Sequence, residues 1–257
     1  MNRSRPRPPL TEAEKKWRQE FIRKLQSVGD CGFETAFLDP LQLELAQEAL
    51  KDFQELSYTI FGGYPTAERA ILRIFPAKQH GSLPEAAALA VTGLFDEGAL
   101  SHRDFLGAVL GLGLRRDQVG DILLLPEGGA IIFVLKAKAE FICARLTQVG
   151  SISVDCSVTD PGRLSLPMEA GREISGTVAS TRLDAVLALG FGLSRSRAVL
   201  LIKGGLAKVN WRPVDSPAFQ LHAGDLISLQ SRGRVELLAL EGETRKGRIR
   251  LKLKKMS

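Results

Sequence analysis

Nowhere do the 257 residues run to the roughly 18 consecutive apolar positions that a membrane span needs, so an integral membrane protein of the helical kind is excluded. Cysteine is scarce. Cys31, Cys143 and Cys156 are odd in number, far apart along the chain and form no C-x-x-C pair. That argues against a disulfide framework or a zinc site, fits a reducing cytoplasm, and leaves the three as small buried hydrophobes. Histidine is equally rare, with only His80, His102 and His222. No Ser/His/Asp, His/Cys or paired-carboxylate arrangement stands out, and no G-x-G-x-G loop is present for a nucleotide or methyl-donor cofactor. The expectation is therefore a protein without catalytic residues, cofactor or metal. The basic, proline-rich start, Met1 to Pro9, leads into no apolar segment and reads as a disordered arm, not a secretion signal.

What is present belongs to a soluble globular protein of two or three domains, with 44% hydrophobic and 25% charged residues. The net charge of +6 is unevenly placed. Residues 172–257 hold 16 Lys and Arg against 7 Asp and Glu, a net of +9, while residues 1–171 hold the other 19 against 22, a net of −3. Such an excess confined to one third of the chain points to a polyanionic partner.

Taken in order, residues 1–60 form a helical N-terminal region. Thr11 and Glu14 make a capping box for a helix over 11–27 with Trp17, Phe21 and Leu25 on one face. Asp39 and Pro40 start a second helix that places Leu41, Leu45, Ala49, Phe53 and Leu56 on its buried side. After the turn Phe61-Gly62-Gly63-Tyr64-Pro65, a middle domain over 61–160 carries a short strand, Ala70 to Phe75, and then a β-α-β-β-α-β order. Its strands lie near Leu89–Phe95, Asp121–Leu125, Ala130–Val134 and Ile152–Val158, its helices over His102–Leu112 and Lys136–Gln148. His102-Arg103-Asp104, behind Ser101, reads as capping chemistry. This ferredoxin-like arrangement is shared with RNA-recognition motifs, but those stack bases on strand aromatics, and Phe133 is the one aromatic on the central pair. Arg115 and Arg116, just past a helix end, are a candidate secondary RNA contact. Turn formers over 160–176 place a domain boundary before residues 172–257.

The C-terminal third is organised around residues 181–210. A first helix follows Ser180 or Thr181, turns Leu183, Val186 and Leu187 inward and stops at Gly190; a second follows Ser194, buries Ala198, Leu201 and Ile202, and stops at Gly204. A strand, Leu206 to Val209, comes next. Ser194-Arg195-Ser196-Arg197 sets two guanidiniums beside free N–H groups at a positive helix end, which suits phosphate. Arg182, Arg195 and Arg197 are the candidate phosphate ligands, Ser194 and Ser196 add hydroxyls, and Lys203, Lys208 and Asn210 extend the surface. At the end of the chain Arg248, Arg250, Lys252 and Lys254 alternate with Ile249, Leu251 and Leu253. That is a half-buried strand with four cations on one face, a second candidate phosphate contact.

Two resemblances rest on these residues. Arg182-Leu183-Asp184, Ser194-Arg195-Ser196, Ile202-x-x-Gly205, Val209-Asn210 and Gly224-Asp225-x-Ile227 resemble the S-four RNA-binding domain. That domain usually has glycine after the asparagine, where Trp211 stands here, and the usual tight turn relies on that glycine. Phe61-Gly62-Gly63-Tyr64-Pro65-x-Ala67-Glu68-Arg69, the run His102 to Arg116, and Gly120-Asp121-Ile122 are similar to the YlmH family, whose cyanobacterial and plastid members are called photosystem II S-four domain proteins. The resemblance spans nearly the whole chain. It implies an α+β protein: helical segment, RRM-like middle domain and C-terminal S-four domain. It also implies a non-enzymatic RNA-binding protein that associates with the large ribosomal subunit and acts in rescue of obstructed subunits that still hold peptidyl-tRNA; the expectation is a cytoplasmic monomer that binds rRNA and also tRNA. The alternatives are an RNA-modifying enzyme with an unrecognised site, and a regulatory protein of division or photosystem maintenance.

Overall fold

The computed structural model describes residues 10–94, 100–126, 128–160, 171–230 and 232–256. The N-terminal arm and most of the turn-rich boundary stretch lie outside the described residues. The chain divides into two compact units, Met1–Pro167 and Met168–Ser257. Among the described residues no single helix is long and apolar enough to cross a membrane.

The first unit opens with α1 (Glu12–Gln26), β1 (Phe33–Glu34), α2 (Pro40–Leu50), β2 (Leu56–Phe61) and β3 (Ile71–Pro76). Both helices start where the sequence places them. The Thr11 hydroxyl accepts from the Glu14 N–H at 3.3 Å while the Glu14 carboxylate accepts from the Thr11 N–H at 2.9 Å. Asp39 and Gln42 repeat the box behind Pro40. The two helices pack on an antiparallel sheet of order β1-β3-β2 through Phe21, Leu25, Ala46, Ala49, Leu72 and Ile74. Trp17 stacks on Phe21 with centroids 5.3 Å apart. One expectation fails here: α2 stops at Leu50, and Leu56 opens a strand. Phe53 and Leu56 still pack against the same core. Their helix-like spacing therefore reported burial correctly and backbone conformation wrongly.

The unit continues with β4 (Ala86–Gly93), α3 (His102–Gly111), β5 (Val119–Leu124), β6 (Ala130–Leu135), α4 (Ala139–Arg145), β7 (Gln148–Val149) and β8 (Ile152–Thr159). The sheet order β5-β6-β4-β8-β7 is the split β-α-β arrangement with a short extra edge strand. The predicted helix over 136–148 contracts to α4 plus a 3₁₀ turn at Lys136–Lys138, and its tail becomes β7. Phe105, Val109 and Ile142 from the helices pack on Leu89, Val91, Ile132 and Val134. The alternate residues of β6, Ile131 and Phe133, are also fully buried, on the opposite face. A strand covered on both sides explains why Ala130-Ile131-Ile132-Phe133-Val134 is an unbroken apolar run.

The second unit comprises β9 (Arg172–Val178), α5 (Leu183–Phe191), α6 (Arg195–Lys203), β10 (Ala207–Val209), β11 (Arg212–Pro213), β12 (Leu226–Leu229), β13 (Gly233–Glu243) and β14 (Ile249–Met256). Its antiparallel sheet has the order β11-β10-β12-β13-β14-β9. Leu183, Val186, Leu187, Ala198 and Ile202 from the helices cover the face formed by Ile227, Leu229, Val235, Leu237, Leu251 and Leu253. β9 falls where the sequence predicts only turn-rich boundary. It is an edge strand paired with β14 from Val178 to Arg172. Gly176 gives it little strand character, yet that glycine is what lets Leu189 approach: a Cβ there would lie 2.7 Å from the leucine methyl.

Candidate nucleic-acid interface

The helix pair is built around one buried carboxylate. α5 runs to Phe191 and is closed by Gly192 at φ 63°, two residues beyond the predicted stop. Gly190 lies within the helix, where a Cβ would press 3.0 Å against Val235. Ser194 caps α6, its hydroxyl accepting from the Arg197 N–H at 3.3 Å and lying 3.2 Å from the Ser196 hydroxyl. Asp184, in the first turn of α5, has a side chain only 3% exposed and accepts from Arg182 at 3.1 and 3.2 Å and from Arg195 at 3.2 and 3.3 Å. Burial works against its charge, but these bonds outweigh burial and hold the carboxyl below its ordinary range; the same contact raises Arg182. Two planar guanidiniums are thus fixed side by side with 36% and 54% of their side chains open to solvent. Arg197 stands exposed at the same helix start. Sequence reading picks out the arginines but not their anchor, because eleven residues separate Asp184 from Arg195 and only the helix crossing brings them together.

Lys203 ends α6 exposed, and Lys208 points outward from β10 between the buried Ala207 and Val209. Asn210 also serves the fold. Its carboxamide donates to Asp225 at 2.7 Å and accepts from the Leu226 N–H at 2.9 Å, and Asp225 is itself buried and accepts from the His222 N–H. Asn210 therefore locks two loops together and its side chain is largely consumed by the fold. The tight turn survives the tryptophan. Val209 pairs with Arg212, so Asn210-Trp211 is a two-residue hairpin loop with φ of 47° and 68°. Asparagine tolerates that region; for tryptophan it costs about 1–2 kcal/mol. The Trp211 ring is half-buried, with the Arg234 guanidinium 5.7 Å from its centroid.

The predicted row of four unanswered cations on β14 needs correction. Lys252 pairs with Glu241 at 3.1 Å, a bond that raises its pKa, with Glu173 adding to the effect. Lys254 sits in register between Glu236 and Glu173. Arg248 precedes the strand and donates to the Thr177 hydroxyl and carbonyl. Arg250 is exposed, opposite Thr177. The acids come from β9 and β13, which no local pattern around residues 248–254 reveals.

In the first unit the arginine pair divides. Arg115 is exposed and ion-paired with Asp117 at 3.1 Å. Arg116 donates to the carbonyls of Val119 and Gly120, and burial together with the charge of Arg69 lowers it to about 10. One end of its guanidinium is engaged by the fold. Beside it, Asp121 accepts from the Tyr64 hydroxyl at 2.9 Å and from the Glu68 and Arg69 N–H groups. Burial raises its carboxyl, against those bonds and the charges of Arg69 and Arg116. The Arg69 side chain reaches the carbonyls of Phe37 and Val119. This latch draws the 61–70 segment across the open face of the β-α-β-β-α-β sheet. Phe133 is fully buried there, stacked on Tyr64 at 4.9 Å and packed with Phe37 and Ile71. The part of the sheet on which an RNA-recognition motif stacks bases is thereby closed by the protein's own chain.

His102 and its neighbours form a cap, as expected: the Asp104 carboxylate accepts from both the N–H and the hydroxyl of Ser101 at 2.7 Å. The cysteines depart from expectation, since none of the three is fully buried. Cys31 is exposed, whereas Cys143 of α4 and Cys156 of β8 are half-buried with sulfurs 3.2 Å apart. Among the described residues no group of three or more His, Cys, Asp or Glu is placed to hold a metal ion.

Comparison with known proteins finds three family matches along the chain. Residues 181–227 match the S4 domain, residues 96–161 the putative RNA-binding domain in YlmH, and residues 32–78 the YlmH N-terminal region. The chain is 41% identical over 69 residues to the small ribosomal subunit protein uS4 of Acidithiobacillus ferrooxidans, covering 26% of this chain and 33% of that protein. A solved structure, the cell division protein ylmH from Streptococcus pneumoniae, covers 60% of this chain and 96% of its own at 21% identity and a TM-score of 0.49. Over 219 residues, 84% of each protein, the present chain is 34% identical to the ribosome-associated protein quality control protein P2 of Bacillus subtilis. With that extent of identity and three successive family matches along the chain, the chain belongs to the YlmH family.

Proposed function

We propose that this protein is a cytoplasmic, non-enzymatic RNA-binding factor that associates with the large ribosomal subunit, acts in quality control of obstructed subunits, and holds structured rRNA, with tRNA as a second ligand. The observation that carries the proposal is the pair of guanidiniums, Arg182 and Arg195, clamped on one buried carboxylate beside the start of α6. A clamped guanidinium keeps its charge and its fork geometry but loses little side-chain entropy when it meets a phosphate. Arg197, Lys203 and Lys208 enlarge the positive surface, and Ser196 adds a hydroxyl. Such a surface recognises backbone and shape more than base sequence. The S4 match over the same residues and the ribosome-associated relative support the same function.

The test is the double substitution Arg195→Ala with Arg197→Ala, assayed by filter binding to ribosomal RNA over a salt series and by sedimentation with ribosomal subunits. Two lost phosphate contacts lower the slope of log affinity against log salt by about 1.4–1.8. The variant should also leave the large-subunit fraction. An unchanged affinity and slope would rule out this site, and an RNA modified by the protein, read by mass spectrometry of nucleosides, would rule out a purely binding role.

A further inference from the structure

We propose, building on the RNA-binding function above, that Trp211 is a stacking platform for an unpaired nucleobase, so that the second unit reads single-stranded loops as well as phosphate backbone. Three independent observations meet at this residue. The first is conformational. Asn210 and Trp211 both take positive φ, 47° and 68°, in a hairpin whose second loop position any L side chain disfavours and glycine would fill without strain. A large aromatic held in such a conformation is a feature to be explained by what the ring does, since the turn itself does not need it.

The second is the state of the ring. It is half-buried, with the Arg234 guanidinium 5.7 Å from its centroid. Trp17, by contrast, is used by its own fold, stacked on Phe21 at 5.3 Å with planes 8° apart. An indole backed by a guanidinium and open to solvent over part of its surface is the arrangement on which a base stacks. The π-face accepts any base, and the cation makes the stack stronger beside a phosphate backbone.

The third is the charge around it. Register places Lys208 opposite Ser228, and Ser228 opposite Arg234, so these three side chains form a row across β10, β12 and β13. The neighbouring residues Ala207, Val209, Ile227, Leu229 and Val235 are all buried in the core, which puts the row on the other face of the sheet, where Lys208 is exposed, Arg234 half-buried and the Ser228 hydroxyl covered. With strands about 4.8 Å apart, the backbones at Lys208 and Arg234 are roughly 10 Å from each other, two strands apart on one face. Arg212 adjoins the tryptophan in sequence and opposes Val209. An aromatic beside a basic row has the chemistry of a single-strand site, and this surface lies outside the residues predicted from sequence except for Lys208 and Asn210.

The experiment uses the full chain carrying Trp17→Phe, which leaves Trp211 as the sole tryptophan, titrated with purified bacterial ribosomal RNA. RNA is expected to quench the indole fluorescence as it binds. Trp211→Gly in the otherwise unaltered chain should bind the same RNA about tenfold more weakly with an unchanged salt slope, because stacking releases no counterions. Its melting temperature should not fall, since glycine accepts the backbone conformation; Trp211→Phe, which retains a ring, should recover most of the affinity. RNA binding without quenching, or Trp211→Gly binding as tightly as the parent, would overturn the stacking role and leave the phosphate site standing. Absence of RNA binding by the parent chain would overturn both.

Discussion

Replacing Asp184 by asparagine tests the clamp on which the interface depends. The substitution preserves volume and one acceptor, but removes the charge that two guanidiniums share and points an amide N–H₂ at them. Four charge-assisted hydrogen bonds of 3.1 to 3.3 Å are lost or weakened. The arginine side chains are 36% and 54% exposed and rehydrate, so this is not the loss expected when a buried charge is left alone. Each half-exposed pair contributes about 0.5–1 kcal/mol, and the buried amide left with poor partners adds about 1 kcal/mol, for a loss of roughly 2–3 kcal/mol at neutral pH. The sign with pH follows from linkage. Asp184 is held below its ordinary range in the folded state, so its contribution is complete above the unfolded carboxylate value, about 3.9, and fades as pH falls through the lower folded value. Urea unfolding of the second unit, read from Trp211 fluorescence in the Trp17→Phe chain, should show the full difference at pH 7 and at pH 5. The difference should close as the acid limit of folding is approached. A gap below about 0.5 kcal/mol at pH 7, the scale of an ordinary surface substitution, or one that stays constant down to that limit, would refute the clamp.

The latch of the first unit gives a second prediction: Gly63 has φ 103° and a Cβ there would lie 2.1 Å from the Phe133 ring. Gly63→Ala should therefore destabilise the first unit by about 2–4 kcal/mol in thermal or urea unfolding, and a loss under about 0.5 kcal/mol would show that the 61–70 segment does not seat against the sheet. The cysteines give a third. Burial and the adjacent Cys143 push the Cys156 thiol up to about 12, so it stays protonated at pH 8, while Cys31 is exposed. Iodoacetamide on the folded protein should modify Cys31 first and Cys156 only on unfolding, as peptide mass spectrometry would report; early labelling of Cys156 would contradict the packing of α4 on β8.

By itself the sequence determined the features that local physics controls. The capping box at Thr11, the helix start at Asp39-Pro40 and the serine cap at Ser194 each depend on residues within three positions, and each forms where the sequence places it. The β-α-β-β-α-β order of the middle region and the two-helix unit with its arginines are likewise carried by short-range periodicity. Tertiary structure decided what depends on partners distant in the chain. β9 exists because β14 offers it an edge, and the cations of β14 meet Glu173, Glu236 and Glu241 on adjacent strands. Arg116 donates to carbonyls of the first unit, and Asn210 donates to Asp225. Phe133, the one aromatic available for stacking on the central strands, lies beneath Tyr64, so the sheet that resembles an RNA-recognition motif is closed there. Residue type set which groups carry charge. Which of those charges remain available to an RNA was settled by long-range contacts, because an ion pair or a covering segment answers to distance in space and not to spacing along the chain.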